Sequence, residues 1–143
     1  MPSKIVVLGA TGQQGGAVAA ALKAGGGDVT IVTPTRNPES TAAKALAAAG
    51  CQLATLTSLE AEAELTALFQ GAAGVFAVTT FVKAGNKFDC EMEKRQGEAI
   101  VKAAKAAGVP FLVFTSVGSA ADKTGVPHFD SKMHIEELID QSG

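Results

Sequence analysis

A run of aliphatic residues, Lys4-Ile5-Val6-Val7-Leu8, ends in Gly9-Ala10-Thr11-Gly12-Gln13-Gln14-Gly15-Gly16 and passes straight into an Ala-rich stretch of helical length. No other feature constrains the fold as much as this junction. Glycine at position 9 permits a tight turn, at 12 it lets backbone approach a pyrophosphate, and at 15 it lets the helix lie close to the strand. The free N–H groups at the start of a helix attract phosphate oxygens. A glycine-rich turn by itself also serves as a plain strand-to-helix connection. The strand before it, the helix after it and the strand–helix units that follow favour a dinucleotide site.

Those further units recur roughly every 20 to 30 residues, short β-branched runs alternating with Ala-rich helical segments. Strands are expected at Lys4–Leu8, Asp28–Thr33, Gln52–Thr55, Gly74–Thr79 and Phe111–Thr115. Asn37 reads as the cap of the second helix, with Pro38 in its first turn and Gly50 just past its end; Thr57-Ser58-Leu59-Glu60 reads as a capping box for the third. The fourth helix runs from about Cys90 to Ala107 and stops at Gly108, with Pro110 beyond. A last amphipathic segment, Ser131 to Gln141, places Ile135, Leu138 and Ile139 on one face. The composition is 47% hydrophobic but only 5% aromatic, so the core must be built from Ala, Val, Leu and Ile, which suits a parallel sheet covered by helices. The pattern predicts one α/β domain over residues 1–143. It is a Rossmann-type three-layer fold with a five-stranded parallel sheet in the order 3-2-1-4-5 and a ligand at the carboxyl ends of the strands. Pro34 and the Gly25-Gly26-Gly27 approach are expected to shift the register of the second strand.

Several function classes are disfavoured. Twelve Lys and Arg against fourteen Asp and Glu give a formal charge of −2, which offers no basic face for direct nucleic-acid binding. No apolar run approaches the roughly 18 residues needed to span a membrane, and the N-terminus is too brief for a secretory signal. The expected compartment is therefore cytoplasmic or nuclear. Cys51 and Cys90 form no CxxC pair and read as small buried apolar thiols. His128 and His134 stand six apart, whereas metal ligands on one helix fall about three or four apart, so no metal site is expected. Lys94, Arg95, Lys102 and Lys105, set among Glu91, Glu93 and Glu98, read as a solvated helix face, with Arg95 the residue placed to turn toward a cofactor phosphate. The chain contains neither Tyr nor Trp, which excludes any mechanism that needs a tyrosine acid.

The end of the second strand decides which dinucleotide fits. A carboxylate there would accept the ribose hydroxyls of NAD, but the segment reads Thr33-Pro34-Thr35-Arg36-Asn37-Pro38. A guanidinium at Arg36 can pair with a 2′-phosphate through parallel charged hydrogen bonds. Such bonds contribute about 1.5 to 3 kcal/mol, roughly a tenfold to hundredfold preference for NADP(H) over NAD(H).

Together, Gly9 to Gly16, Thr35-Arg36-Asn37-Pro38, Arg95-Gln96-Gly97 and His128-Phe129-Asp130-Ser131-Lys132 resemble the NmrA-like family, atypical members of the short-chain dehydrogenase/reductase superfamily. The likeness covers essentially the whole chain. It implies an NADP(H)-binding redox-sensing or transcription-regulatory protein without strong catalytic activity, with a regulatory protein partner or a second copy. The alternative is an NADPH-dependent reductase of quinone-like or carbonyl substrates. Carried onto this sequence, the resemblance places the pyrophosphate on Gly9, Ala10, Thr11, Gly12, Gln13, Gln14 and Gly15, and the adenosine phosphate on Arg36 and Asn37. It places Thr79, Thr80 and Phe81 beside the cofactor and Lys132 near the nicotinamide ribose. Thr57 stands where many relatives carry an Asp near the adenine. The superfamily's Tyr-x-x-x-Lys is here His128-x-x-x-Lys132, which makes Lys132 and His128 the candidate catalytic pair, His128 having an unperturbed pKa of ~6.5. Ser116, after the fifth strand, is a weaker candidate for substrate binding. Relatives continue into a C-terminal lobe that closes over the nicotinamide; those elements are absent from these residues, which implies either the N-terminal part of a longer protein, the favoured reading, or a natural short form that needs a partner.

Overall fold

The computed structural model describes residues 2–80, 82–83, 87–117 and 127–143. β1 (Ser3–Val7) leads through the glycine turn into α1 (Gln13–Ala24), followed by β2 (Val29–Thr35), α2 (Thr41–Ala48), β3 (Gln52–Thr55), α3 (Glu62–Phe69) and β4 (Ala72–Ala77). A small antiparallel pair, β5 (Val82–Lys83) and β6 (Lys87–Phe88), precedes α4 (Cys90–Ala106), β7 (Leu112–Phe114) and α5 (Pro127–Ser142). The main sheet is parallel throughout, in the order β3-β2-β1-β4-β7. This is the expected 3-2-1-4-5 topology, with β7 as its fifth strand. The β5–β6 pair was not foreseen, because two-residue strands carry no periodic signal.

Alternation along the strands divides the core between the two faces of the sheet. Val6 and Leu8 of the β1 segment point toward α3 and α4, where they join Leu65, Phe69, Val75, Ile100 and Ala103. Val7 points the other way, into a smaller cluster with Ala10, Ala19, Ile31 and Cys51 under α1. Phe69 is completely buried, and withdrawing such a side chain from water stabilises by about 1.5 to 3 kcal/mol. Lys4 Nζ donates to the carbonyls of Leu68 and Gln70 at 2.6 and 2.9 Å, which satisfies and neutralises the carboxyl end of α3.

Local sequence signals located several ends and misplaced others. Gly50 and Gly108 lie just beyond α2 and α4 with φ of +93° and +68°, the left-handed conformation that ends a helix. Asn37, however, does not cap α2. Its side-chain oxygen accepts from Glu39 N–H at 3.1 Å in a local turn, and Ser40 caps the helix by accepting from Ala43 N–H at 3.1 Å. The Thr57-Ser58-Leu59-Glu60 capping box is likewise not formed. Ser58 closes a turn on Glu60 N–H, while Glu64 reaches back to accept from both the backbone and the hydroxyl of Thr57 at 2.9 Å. Those two bonds hold the Glu64 carboxyl below the usual carboxylate range, against a small opposing effect of burial. The last helix begins at Pro127, four residues before the expected start at Ser131. Pro34 sits within β2 beyond its pairing with β1, so the missing N–H interrupts nothing there, and β2 runs in regular register; the irregularity falls between β1 and β4 at Lys4/Ile5. Among the described residues no helix is long and apolar enough to cross a membrane.

Candidate functional site

The carboxyl ends of the central strands open into a cleft of two lobes that meet at Gly9. The first, about 730 Å³, is lined by Pro34 to Asn37 after β2, by Leu59 and Glu60 before α3, and by Met92 and Gln96 of α4. The second, about 400 Å³, is lined by Gly12 to Gly15 at the start of α1, by Thr79, by Thr115 and Ser116 after β7, and by Phe129 and Lys132 of α5.

The amino end of α1 forms part of the wall of the second lobe. Its N-cap, Gly12, provides no side-chain cap, and its first turn contains no acidic residue. The first N–H groups of a helix lack intrahelical partners and carry the positive end of its dipole, so this end faces the cleft with unsatisfied donors. Close approach explains two of the glycines. Gly9 adopts φ +68°, and a Cβ built on Gly15 would lie inside van der Waals contact with the Gly9 carbonyl and the Ala10 nitrogen.

The expected site residues separate into groups. Gly9, Thr11, Gly12, Gln13, Gln14 and Gly15 all line the cleft, but the Ala10 side chain is 4% exposed and packs in the core beneath α1. Arg36 and Asn37 lie together on the wall of the first lobe, Arg36 exposed. Thr80 also lines that lobe, its N–H donating to Gln96 Oε1 at 2.9 Å. Arg95 does not turn into the cleft: its Nε donates to Glu60 Oε1 at 2.5 Å, and this bond raises the guanidinium pKa above its ordinary value. Ser116 lines the second lobe and donates to Glu136 Oε1 of α5. His134 pairs with Glu98 at 3.1 Å. Phe81 and the His128 side chain lie outside the described residues.

Lys132 is where the structure adds most. Its ammonium donates to Glu93 Oε2 at 2.7 Å and to Thr79 Oγ1 at 3.3 Å, and it stands 5.5 Å from the centre of the Phe114 ring. The Thr79 hydroxyl in turn donates to Glu93 Oε2 at 2.8 Å, and Ser131 donates to Glu93 Oε1. Glu93 therefore does not belong to a solvated face: it is 0% exposed, with Gln96 and Gly97 buried beside it. The mixed charges of α4 hide this in the local pattern, whereas the helical period shows it. Glu93, Gly97, Ile100 and Ala104 recur at helical spacing on one stripe, and a carboxylate on an apolar stripe is the signal that would have found it. Lys94 and Arg95 remain on the outer side, at 33% and 55% side-chain exposure.

This arrangement can be compared with known proteins. The model of the NmrA-like family matches residues 1–143. An NmrA-like family domain-containing oxidoreductase from a Cladobotryum species is 35% identical over 142 residues, which take in 96% of this chain and 40% of the relative. An NADPH-dependent quinone oxidoreductase from Escherichia coli, solved in complex with NADPH, is 32% identical with a TM-score of 0.80 and is matched over 97% of this chain and 45% of that one. The Citrobacter triphenylmethane reductase complexed with NADP(H) is 26% identical, with a TM-score of 0.79 over 98% of this chain and 46% of the reductase. The chain thus spans less than half the length of each of these relatives. With a match that runs from its first residue to its last, laid over the glycine turn and the sheet order just described, the chain belongs to the NmrA-like family.

Proposed function

We propose that residues 1–143 form a dinucleotide-binding domain that takes NADP(H) in preference to NAD(H), and that it acts as a cofactor-binding redox sensor without strong catalysis of its own. One observation carries the preference: the exposed guanidinium of Arg36 and the uncapped amino end of α1 lie on one cleft, separated by the Gly9 turn. The residues fit the group. Arg36 and Asn37 would hold a 2′-phosphate, the N–H groups after Gly12 a pyrophosphate, and the space beside Thr79 and Lys132 the second riboside. The E. coli and Citrobacter relatives solved with NADPH and NADP(H) support the same reading. The supporting fact for weak catalysis is the complete lack of tyrosine, which leaves Lys132 without the phenol it assists in the superfamily.

Calorimetric titration with NADPH, NADP, NADH and NAD tests the assignment. The phosphorylated pair should bind roughly tenfold to hundredfold more tightly. Equal affinities across the four would sink it.

A second reading, NADPH-dependent reduction of a quinone-like or carbonyl substrate, is favoured by the 32% identity to the E. coli quinone oxidoreductase. Bound NADPH would supply the hydride, and Lys132 and Ser116 would face the acceptor. NADPH oxidation across a panel of quinones separates the two, since the sensor reading expects no turnover above background.

A further inference from the structure

Glu93 is an acid with no exposure, in a helix whose neighbouring acid Glu91 is 75% exposed. A carboxylate withdrawn from water is unfavourable unless it is paired and hydrogen-bonded. Its partners converge from two further elements: Thr79 from the segment after β4, and Ser131 and Lys132 from α5. Burying such a pair is about neutral for stability compared with apolar residues of similar volume, so stability alone does not account for the arrangement. What the arrangement does achieve is a fixed ammonium. A lysine carries its charge on a flexible stem with three donors, and at the edge of an open cleft it would sample many positions. Here two of the three donors are committed to Glu93 and Thr79, and the side chain is 12% exposed.

We propose that Glu93 is a positioning residue of the second lobe: its carboxylate fixes the Lys132 ammonium so that the one uncommitted N–H meets a hydroxyl of the dinucleotide's second ribose. The inference rests on the dinucleotide reading above and deepens it. Because Glu93 offsets the charge of Lys132, the part of the second lobe beside Thr79 and Lys132 is a neutral donor site suited to ribose hydroxyls. The phosphates are left to Arg36 and the amino end of α1, and this division of charge sets the direction in which the dinucleotide lies.

The test uses two probes, NADPH and adenosine 2′,5′-bisphosphate, the second of which keeps the adenosine phosphates and lacks the second riboside. Both are titrated calorimetrically into the 143-residue chain and its Glu93→Gln, Lys132→Met and doubly substituted variants, with circular dichroism to confirm folding. Glu93→Gln is expected to weaken NADPH about tenfold and to leave the bisphosphate within about twofold. The double variant is expected to lose no more NADPH affinity than Lys132→Met alone, because Glu93 acts through Lys132. If Glu93→Gln is unfolded at the assay temperature, Ser131→Ala, which removes only the hydroxyl on Oε1, carries the same split. Equal losses for both probes, no loss for either, or additive losses in the double variant would overturn the proposal. Failure of the unsubstituted chain to bind either probe would instead overturn the dinucleotide reading, and this inference with it.

Discussion

Arg36, on one lobe of the cleft, is exposed and unpaired among the described residues, whereas Lys132, on the other, is 12% exposed and held by a fully buried carboxylate and a hydroxyl. The first cation is placed by the turn after one strand and answers to solvent until a ligand arrives. The second is placed by the junction of β4, α4 and α5 and answers to its neighbours. A ligand-reading charge that stands free can be changed with little effect on the fold, whereas one built into a buried network cannot.

The largest expected effect tests that contrast directly. Glu93→Ala leaves the Lys132 charge nearly buried without its counter-ion, and it should lower unfolding free energy by about 3 to 5 kcal/mol in urea titration. A loss below 1 kcal/mol would mean that the network is looser than its geometry, and the contrast would collapse. Arg36→Ala should do the reverse. It is expected to remove about 1.5 to 3 kcal/mol of NADPH binding, measured calorimetrically, while the urea midpoint stays essentially unchanged. Retained preference for NADPH in that variant would show that another group reads the 2′-phosphate.

Gly97→Ala sharpens the comparison from the packing side. A Cβ there would run into the β-branched side chain of Ile135, whose χ1 is stiff, at the contact between α4 and α5. About 1 to 3 kcal/mol of destabilisation is expected, with NADPH weakened more than adenosine 2′,5′-bisphosphate, because α5 carries Lys132 and not Arg36. Equal weakening of both would argue that the lobes are not independent. The smallest effect concerns neither lobe and serves as a control. Glu64 has its folded pKa lowered by Thr57, so its contribution is present above the ordinary value of 4.5 and is lost as pH falls through the lowered one. Glu64→Gln should slightly flatten the fall in stability below about pH 4.5 and leave both ligands' affinities untouched.

Much of the first lobe was legible in the sequence. The glycine turn and Arg36 are local features, set by a few consecutive residues whose conformational needs and charge do not depend on distant partners. The strands of the sheet were legible for a related reason, since β-branched runs between helical segments state their period within a short window. Helix starts were read less well. Asn37, Ser40, Thr57 and Ser58 are all competent caps, and which one takes the role depends on where the chain turns, as Ser40 does for α2.

By itself the sequence determined the alternation of strands and helices, the parallel order that follows from it, the glycine junction and the guanidinium after β2, because each rests on short-range sterics, periodicity or the identity of one exposed residue. Only the tertiary structure decided that Arg95 turns to Glu60, and that Thr79, Ser131 and Lys132 converge on the Glu93 carboxylate. The physical reason is distance along the chain. Lys132 lies 39 residues from Glu93 and 53 from Thr79, and a charge takes its meaning from the groups that exclude water around it, which become neighbours only when α5 packs against α4.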